Sequence, residues 1–296
     1  MPTKTIYIIA GPTASGKTAF AITLAKHLNT SIISADSRQC FRELNIGVAK
    51  PTAAELADVP HFFINNLSIS EEVNARFFEE AALIFTQKIF EEKETAVMAG
   101  GTGLYIKAFC EGMDSMPGVD QEIREKLRYY FLKNGIQWLQ EEVKKKDPAF
   151  WQQAEQQNPQ RLLRALEIWE STGTSILDFQ KRKKVQRNFS IIKIGLEIPM
   201  PDLYERINNR VDKMMQDGLL SEVESVLPFR HFAALQTVGY KEIFEYIDGK
   251  YSLQEAIEKI KQHTRNYAKR QMTWFKGDKE IHWFDGNAPI DFSIIK

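Results

Sequence analysis

The sequence predicts an α/β fold: a parallel sheet core of the P-loop NTPase-like kind, flanked by helices and carrying an all-helical insertion domain. Three observations predict it. A glycine-rich phosphate-loop motif lies between an apolar strand and a helix at the start of the chain. Further short, β-rich apolar segments then alternate with helical patterns. Finally, the composition shifts at Asp114-Ser115-Met116-Pro117-Gly118, and from there to about Ser190 the chain is polar and helical throughout. The core is accordingly assigned to residues 1–115 and 191–296, and the insertion to 116–190.

The motif is Gly11-Pro12-Thr13-Ala14-Ser15-Gly16-Lys17-Thr18. Its flanks have the order the mechanism requires, strand 5–10 before it and a helix from about Ala19 after it. Glycines allow a backbone nest whose N–H groups converge on phosphate oxygens at the positive end of the helix dipole. Lys17 is placed to reach a terminal phosphate, and the Thr18 hydroxyl to help hold Mg²⁺. A ligand-free glycine turn is the competing explanation, disfavoured by the Lys-Thr pair.

The second strand, 31–34, runs into Ala35-Asp36-Ser37-Arg38-Gln39. Ligands of open parallel sheets bind at the carboxyl ends of the strands, so Asp36 and Ser37 are expected beside the phosphate loop. Asp36 would equally serve as a helix N-cap, and the two roles can coexist. A loop-rich stretch follows through His61-Phe62-Phe63, with His61 read as a packed loop histidine. A long helix is expected over 71–92. The next strand, 95–99, ends in Gly100-Gly101-Thr102-Gly103, where a nucleotide hydrolase would place a metal-binding Asp. Thr102 instead offers a hydroxyl on backbone that can approach a ligand closely.

Within the insertion, one apolar stripe (Ile123, Leu127, Tyr130, Phe131) stops at Asn134-Gly135, and a second helix breaks at Asp147-Pro148. Asn158-Pro159 then supplies a cap and a first-turn proline for a helix that ends at Thr172-Gly173. The run Lys181-Arg182-Lys183-Lys184-Val185-Gln186-Arg187 is either a solvated charged loop or a phosphate-backbone contact. After the strand 191–196, a helix over 201–216 sets Leu203, Ile207, Arg210 and Met214 in one arc at about 100° per residue. An unpaired guanidinium in an apolar face is costly, so Arg210 must meet a buried carboxylate or a ligand phosphate. A basic helix over 252–276, with Tyr267, Trp274 and Phe275 among its cations, suits single-stranded nucleic acid or is a packed helix with a basic outer face. A last strand is expected at 281–284.

Composition bounds the function. The 296 residues are 43% hydrophobic and 26% charged, and 39 basic residues balance 39 acidic ones, so any polyanion surface must be local. Two cysteines, Cys40 and Cys110, support neither a zinc site nor a disulfide framework. The segment Met1-Pro2-Thr3-Lys4 leads directly into the first strand and no apolar run reaches membrane-spanning length, so no signal peptide, no membrane and a cytoplasmic location are expected.

With these segments placed, the chain resembles the tRNA dimethylallyltransferases (tRNA isopentenyltransferases) of the bacterial type. The likeness runs through 11–18, Ser34–Gln39, Ile46–Pro51, Gly100–Tyr105, Gln160–Glu167, Gly239–Glu242 and Thr264–Phe275. Phe41 stands where family members often carry tyrosine, and the eukaryotic zinc finger is absent.

The resemblance implies transfer of a dimethylallyl group from dimethylallyl diphosphate to the exocyclic amine of the adenosine immediately 3′ of the anticodon in tRNA. Asp36 becomes the base and Thr102 a hydrogen-bond donor near the bridging oxygen. Lys17, Arg210, the loop amides and Mg²⁺ on Thr18 hold the diphosphate. Asp36, Ser37, Arg38, Gln39, Thr102, Gln160, Arg161, Leu162, Leu163 and Arg164 become tRNA contacts, with the insertion as a clamp on the anticodon stem-loop and a monomer as the working form. The competing classes are a small-molecule kinase using ATP in the same loop and a non-catalytic tRNA-binding protein.

Overall fold

In the computed structural model, residues 4–181 and 183–288 are described. The chain divides into two compact units, Met1–Glu111 with Val185–Lys296, and Gly112–Lys184. The division thus falls four residues before the expected boundary at 115 and six before that at 190. The reason is local. The Val185 N–H donates to the Glu111 carbonyl (2.8 Å), and Arg187 is anchored in the first unit by the Phe109 and Ala108 carbonyls and by Glu79.

The first unit is built on a six-stranded parallel sheet. Its opening half runs β1 (Thr5–Ala10), α1 (Lys17–His27), β2 (Ile32–Ser34), α2 (Ala53–Asp58), β3 (His61–Phe62), α3 (Ala75–Phe90), β4 (Thr95–Gly100) and α4 (Gly103–Glu111). The edge strand β3 corrects the loop reading of 61–63: Ile32 and Ile33 pair with His61 and Phe62, a match too short to show a period. Helix α3 is shorter than the expected 71–92. Asn74 caps it by accepting from the Phe77 N–H, while Glu71 turns back onto the Ser68 N–H.

The second unit contains α5 (Gln121–Lys146), α6 (Pro148–Gln153), α7 (Pro159–Thr172) and α8 (Ile176–Phe179). Helix α5 is two helices joined across Gly135, whose φ of 73° breaks the ladder where the sequence places the Asn134-Gly135 stop. Its core gathers Leu127, Leu139, Val143, Phe150, Leu162 and Leu166. Asn158 caps α7 through the Arg161 N–H, a contact worth about 1 kcal/mol, and Gly173 closes it in the left-handed region.

The chain re-enters the first unit as β5 (Ser190–Glu197), α9 (Met200–Gln216), α10 (Leu219–Ser225), two 3-10 turns, α11 (Tyr240–Ile247), α12 (Leu253–Lys276) and β6 (Ile281–Asp285). Sheet order is β3-β2-β4-β1-β5-β6. The fully buried Ile6, Ile8 and Ile9 put β1 at the centre of the core, with Ala10 level with Gly100 on one side and Gly195 on the other. The carboxyl ends of β1, β2 and β4 therefore open on one rim, where the chain reverses strand order about β1.

Candidate active site

Helix α1 begins at Lys17, directly after Gly16 at φ 90°, a left-handed cap that a Cβ would strain. Gly11, at φ 147°, passes so close to β5 that a Cβ there would stand 2.7 Å from the Leu196 carbonyl oxygen. Within the loop the Ser15 N–H donates to the Pro12 carbonyl (3.3 Å). Ser15 is completely buried and its Oγ has no hydrogen-bond partner. An orphaned hydroxyl inside a cradle of amides is the donor that a phosphate oxygen would satisfy.

The loop is fastened from the far end of the chain. Gln271, on α12 and 6% exposed, accepts the Thr13 N–H on Oε1 (2.8 Å) and donates from Nε2 to the Gly101 carbonyl (2.8 Å). One carboxamide therefore joins the two glycine-rich strand ends. Arg210 donates to the Thr13 hydroxyl (3.3 Å) from the apolar face of α9 that the sequence assigned to it. Among the described residues no carboxylate reaches Arg210 within ion-pair distance, so the buried-carboxylate alternative fails. Burial pushes its guanidinium pKa down, and Asp36 pulls it back up.

Lys17 is half-buried, and its ammonium donates to the Pro12 carbonyl. Burial first, and the nearby Arg210 cation second, push its pKa down to about 7, against the attraction of Asp36. Two cations thus share a site with a single carboxylate. Such a site is electrostatically short of anions, and a phosphate ligand would supply them.

Asp36 follows β2. Its Oδ1 accepts the Arg38 N–H (2.8 Å) and the Gln39 N–H (3.3 Å), so it caps a turn rather than a helix. Oδ2 has no hydrogen-bond partner among the described residues. The Ser37 N–H donates to the Thr102 hydroxyl oxygen (3.1 Å), which orients Thr102 and leaves its own proton to donate. Thr13, Asp36, Ser37, Arg38 and Arg210 line one cavity of about 230 Å³, whose apolar lining comes from Val211, Met214, Val238 and Ile260. Tyr267 also lines it; burial and Asp36 together push its hydroxyl pKa up to about 12, which keeps it a neutral donor.

Not every expected contact is available to a ligand. The Gln39 carboxamide accepts the Ser34 hydroxyl and donates to the Val48 and Ala49 carbonyls, so it organises the site instead of reading a base. Leu162 is fully buried in the helical unit and cannot touch RNA; Gln160 and Arg161 are exposed on the same turn. Leu163 packs on that core, and Arg164 pairs with Glu167 (3.2 Å). Arg187 is also withdrawn from the basic run by its ion pair with Glu79 (2.7 Å), both side chains being nearly buried. Arg182 of that run lies outside the described residues.

Sequence reasoning missed the roles of Gln271 and the 46–50 loop, although each sits in a stretch that carried the resemblance, and it read Tyr267 only as one of the aromatic residues among the cations of its helix. Among the described residues there is no cluster of three His, Cys, Asp or Glu side chains for a metal. A bound ion would rest on the exposed Thr18 hydroxyl and on phosphate oxygens, a hard-oxygen set that suits Mg²⁺.

Comparison with known proteins agrees along the length of the chain. The family model described as IPP transferase matches residues 39–278. A tRNA dimethylallyltransferase of Christiangramia forsetii is 47% identical over 290 residues, covering 97% of this chain and 96% of that protein. One from Cytophaga hutchinsonii is 44% identical over 281 residues, covering 95% and 92%. The crystal structure of a full-length tRNA isopentenylpyrophosphate transferase from Bacillus halodurans superposes with a TM-score of 0.72 at 35% identity, covering 99% of this chain and 93% of that one. A eukaryotic dimethylallyltransferase, captured in crystallographic snapshots acting on tRNA, gives 0.78 at 25% identity, covering 96% and 74%.

Proposed function

The chain belongs to the IPP transferase family, the tRNA dimethylallyltransferases, and on that premise we propose that it prenylates tRNA. The donor is dimethylallyl diphosphate, the acceptor is the exocyclic N6 amine of the adenosine immediately 3′ of the anticodon, and diphosphate is released. The observation that carries this reading is the phosphate loop beside a cavity that Thr13, Asp36 and Arg210 line together, with the orphaned Ser15 hydroxyl inside the loop and the Lys17 and Arg210 cations opposed by Asp36 alone.

In the reaction the allylic carbon–oxygen bond breaks and a carbon–nitrogen bond forms. Negative charge grows on the departing diphosphate, and preorganised donors aimed at it lower the barrier most. Those donors are the Ser15 hydroxyl, Lys17, Arg210 and the amides of the 11–18 loop other than those of Thr13 and Ser15, which bond to Gln271 and Pro12. The Thr102 proton serves the bridging oxygen. Mg²⁺ at Thr18 would neutralise further charge on the diphosphate. The adenine amine must lose a proton as it bonds to carbon, and the unengaged Oδ2 of Asp36 accepts it. The apolar cavity wall around Val211, Met214 and Ile260 takes the hydrocarbon and keeps water from the allylic carbon.

The acceptor base must leave the anticodon-loop stack, at a cost of a few kcal/mol. Arg38, which lines the cavity, and the exposed Gln160 and Arg161 of the helical unit are the contacts assigned to offset it, that unit acting as the clamp on the anticodon stem-loop. We place the enzyme in the cytoplasm as a monomer; no helix among the described residues is long and apolar enough to cross a membrane. A kinase reading is not favoured, because the likeness extends far beyond the phosphate loop.

The test is Asp36→Asn, assayed with labelled dimethylallyl diphosphate and unmodified tRNA. Turnover should fall by about 10²–10⁴-fold with tRNA affinity retained. Wild-type turnover in the variant would remove Asp36 from the chemistry.

A further inference from the structure

Helix α10 carries one carboxylate with an unusual set of partners. Glu222 Oε2 accepts the N–H groups of Asn45 (2.9 Å) and Ile46 (2.8 Å), and Oε1 accepts the Gly47 N–H (2.9 Å) and the Tyr240 hydroxyl (2.6 Å). Three consecutive backbone amides and a phenol thus converge on one side chain. Carboxylate hydrogen bonds of this kind are short and about twice as strong as neutral ones. Tyr240 is fully buried and its pKa is pushed strongly up by burial and by Glu222, which keeps its proton on the phenol for this bond. Gly47 lies flat on its ring: a Cβ there would come within 2.6 Å of the ring carbons.

The loop so held is part of the active cavity, which Gly47 and Val48 line beside Asp36 and Arg210. Its other end is held from within the site. Gln39 donates to the Val48 and Ala49 carbonyls, and the Gln39 N–H is bound by Asp36 Oδ1. A continuous set of bonds therefore runs from Glu222 through the 45–49 backbone and Gln39 to the carboxylate assigned as the base.

We propose that Glu222 is a positioning residue for prenyl transfer. By gathering four donors it fixes the 45–49 backbone as a wall of the cavity, and through Gln39 it sets the direction of Asp36. Glu222 touches neither donor nor acceptor. Its contribution is geometric, and misplacing a reacting group by about 1 Å is enough to cost about 10²-fold in rate.

The proposal rests on the assignment of Asp36 as the base, and the experiment separates the two. Three single variants, Asp36→Asn, Glu222→Gln and Gln39→Ala, and the double variant Glu222→Gln/Gln39→Ala are assayed with dimethylallyl diphosphate and tRNA, with melting temperatures recorded. Glutamine at 222 keeps the shape but turns an N–H₂ toward amides that need an acceptor. Glu222→Gln should lower kcat by about 10²-fold while leaving KM for tRNA within about threefold, the signature of misalignment rather than weakened binding. The double variant should lose no more than the worse single variant, because both changes release one loop. Tyr240→Phe removes one of the four donors and leaves the backbone bonds in place; combined with Gln39→Ala it provides the same non-additivity test should Glu222→Gln not fold. Wild-type kcat in Glu222→Gln with Asp36→Asn inactive would overturn the proposal alone, as would losses that multiply in the double variant. Wild-type kcat in Asp36→Asn would instead overturn the reading it stands on.

Discussion

Replacing Lys17 by methionine should make the free enzyme more stable while it ruins the reaction. Methionine keeps the unbranched stem and removes the charge. In the folded chain burial and Arg210 bring the Lys17 pKa from an ordinary 10.5 down to about 7. At about 1.4 kcal/mol per pH unit, this caps the cost of the cation at about 5 kcal/mol, and water reaching a half-buried ammonium reduces it to about 2 kcal/mol. For a unit of this size, that corresponds to a rise in Tm of about 4–8 °C.

The sign follows from proton linkage. Below pH 7 the lysine is charged whether the chain is folded or not, and the folded state bears the full cost. Between about 7 and 10.5 the unfolded chain holds a proton that the folded chain lacks, so wild-type stability rises with pH. The advantage of Lys17→Met should therefore be largest at about pH 6 and close to zero by about pH 10. Scanning calorimetry of both proteins across that range measures it. In turnover assays the same variant should lose about 10²–10³-fold in kcat/KM for the donor, the usual loss for one preorganised donor on a developing oxyanion. A Tm difference that is negative at the acidic end of that range, or that does not change with pH, would refute this account of the site.

The other predictions concern the cavity and the basic segment. Met214→Ala, opening the apolar wall one turn beyond Arg210, should let a longer allylic diphosphate react, measured as its kcat/KM relative to the five-carbon donor; an unchanged ratio would show that another surface limits chain length. Arg187→Ala should cost about 1–3 kcal/mol in urea unfolding because it removes a nearly buried ion pair with Glu79 together with the bonds to the Phe109 and Ala108 carbonyls, and should leave the salt dependence of tRNA binding unchanged. Lys181→Gln/Lys183→Gln should do the opposite: stability within about 0.5 kcal/mol of wild type, and a salt slope shallower by about 0.7–0.9 for each phosphate that is no longer neutralised. An unaltered slope would remove those two exposed lysines from the RNA surface.

Much of the sheet and one half of the site are legible in the sequence because their determinants are local. The strand-loop-helix order about Gly11–Thr18 needs only neighbouring residues, and the helical period alone puts Arg210 in an apolar face, where the structure finds it without a carboxylate. What stays hidden is pairing at long range. Gln271 meets Thr13 across 258 positions, and Glu222 meets Gly47 across 175. No period or spacing encodes such partners. Leu162 is misplaced by its motif for a related reason. The motif is continuous, yet a helix turns every third or fourth residue inward, so adjacent residues of one motif divide between the core and the surface. Strand β3 escapes because two residues show no alternation at all.

The long-range half has its own logic, carried by one helix pair. Helices α9 and α12 run antiparallel, with Asn208 accepting from Arg265 (2.6 Å) and Asp212 pairing with Lys261 (2.8 Å). Those two pairs set the register: Arg210 stands level with about Thr264 on α12 and Met214 with about Ile260, while Gln271 lies about two turns further toward the end of α12. Arg210 and, from two turns further along α12, Gln271 both bond to Thr13 of the phosphate loop. Four residues beyond Arg210 on α9, about 6 Å, the cavity is lined by Met214 and, level with it on α12, Ile260. On the proposed reading, a diphosphate at the loop carries a hydrocarbon that extends toward Met214 and Ile260, beside the cavity wall that Asp36 shares. The order of residues on two helices sets where charge ends and carbon begins, and for this reason a single methionine-to-alanine change is expected to alter the length of donor accepted without touching the residues that hold the diphosphate.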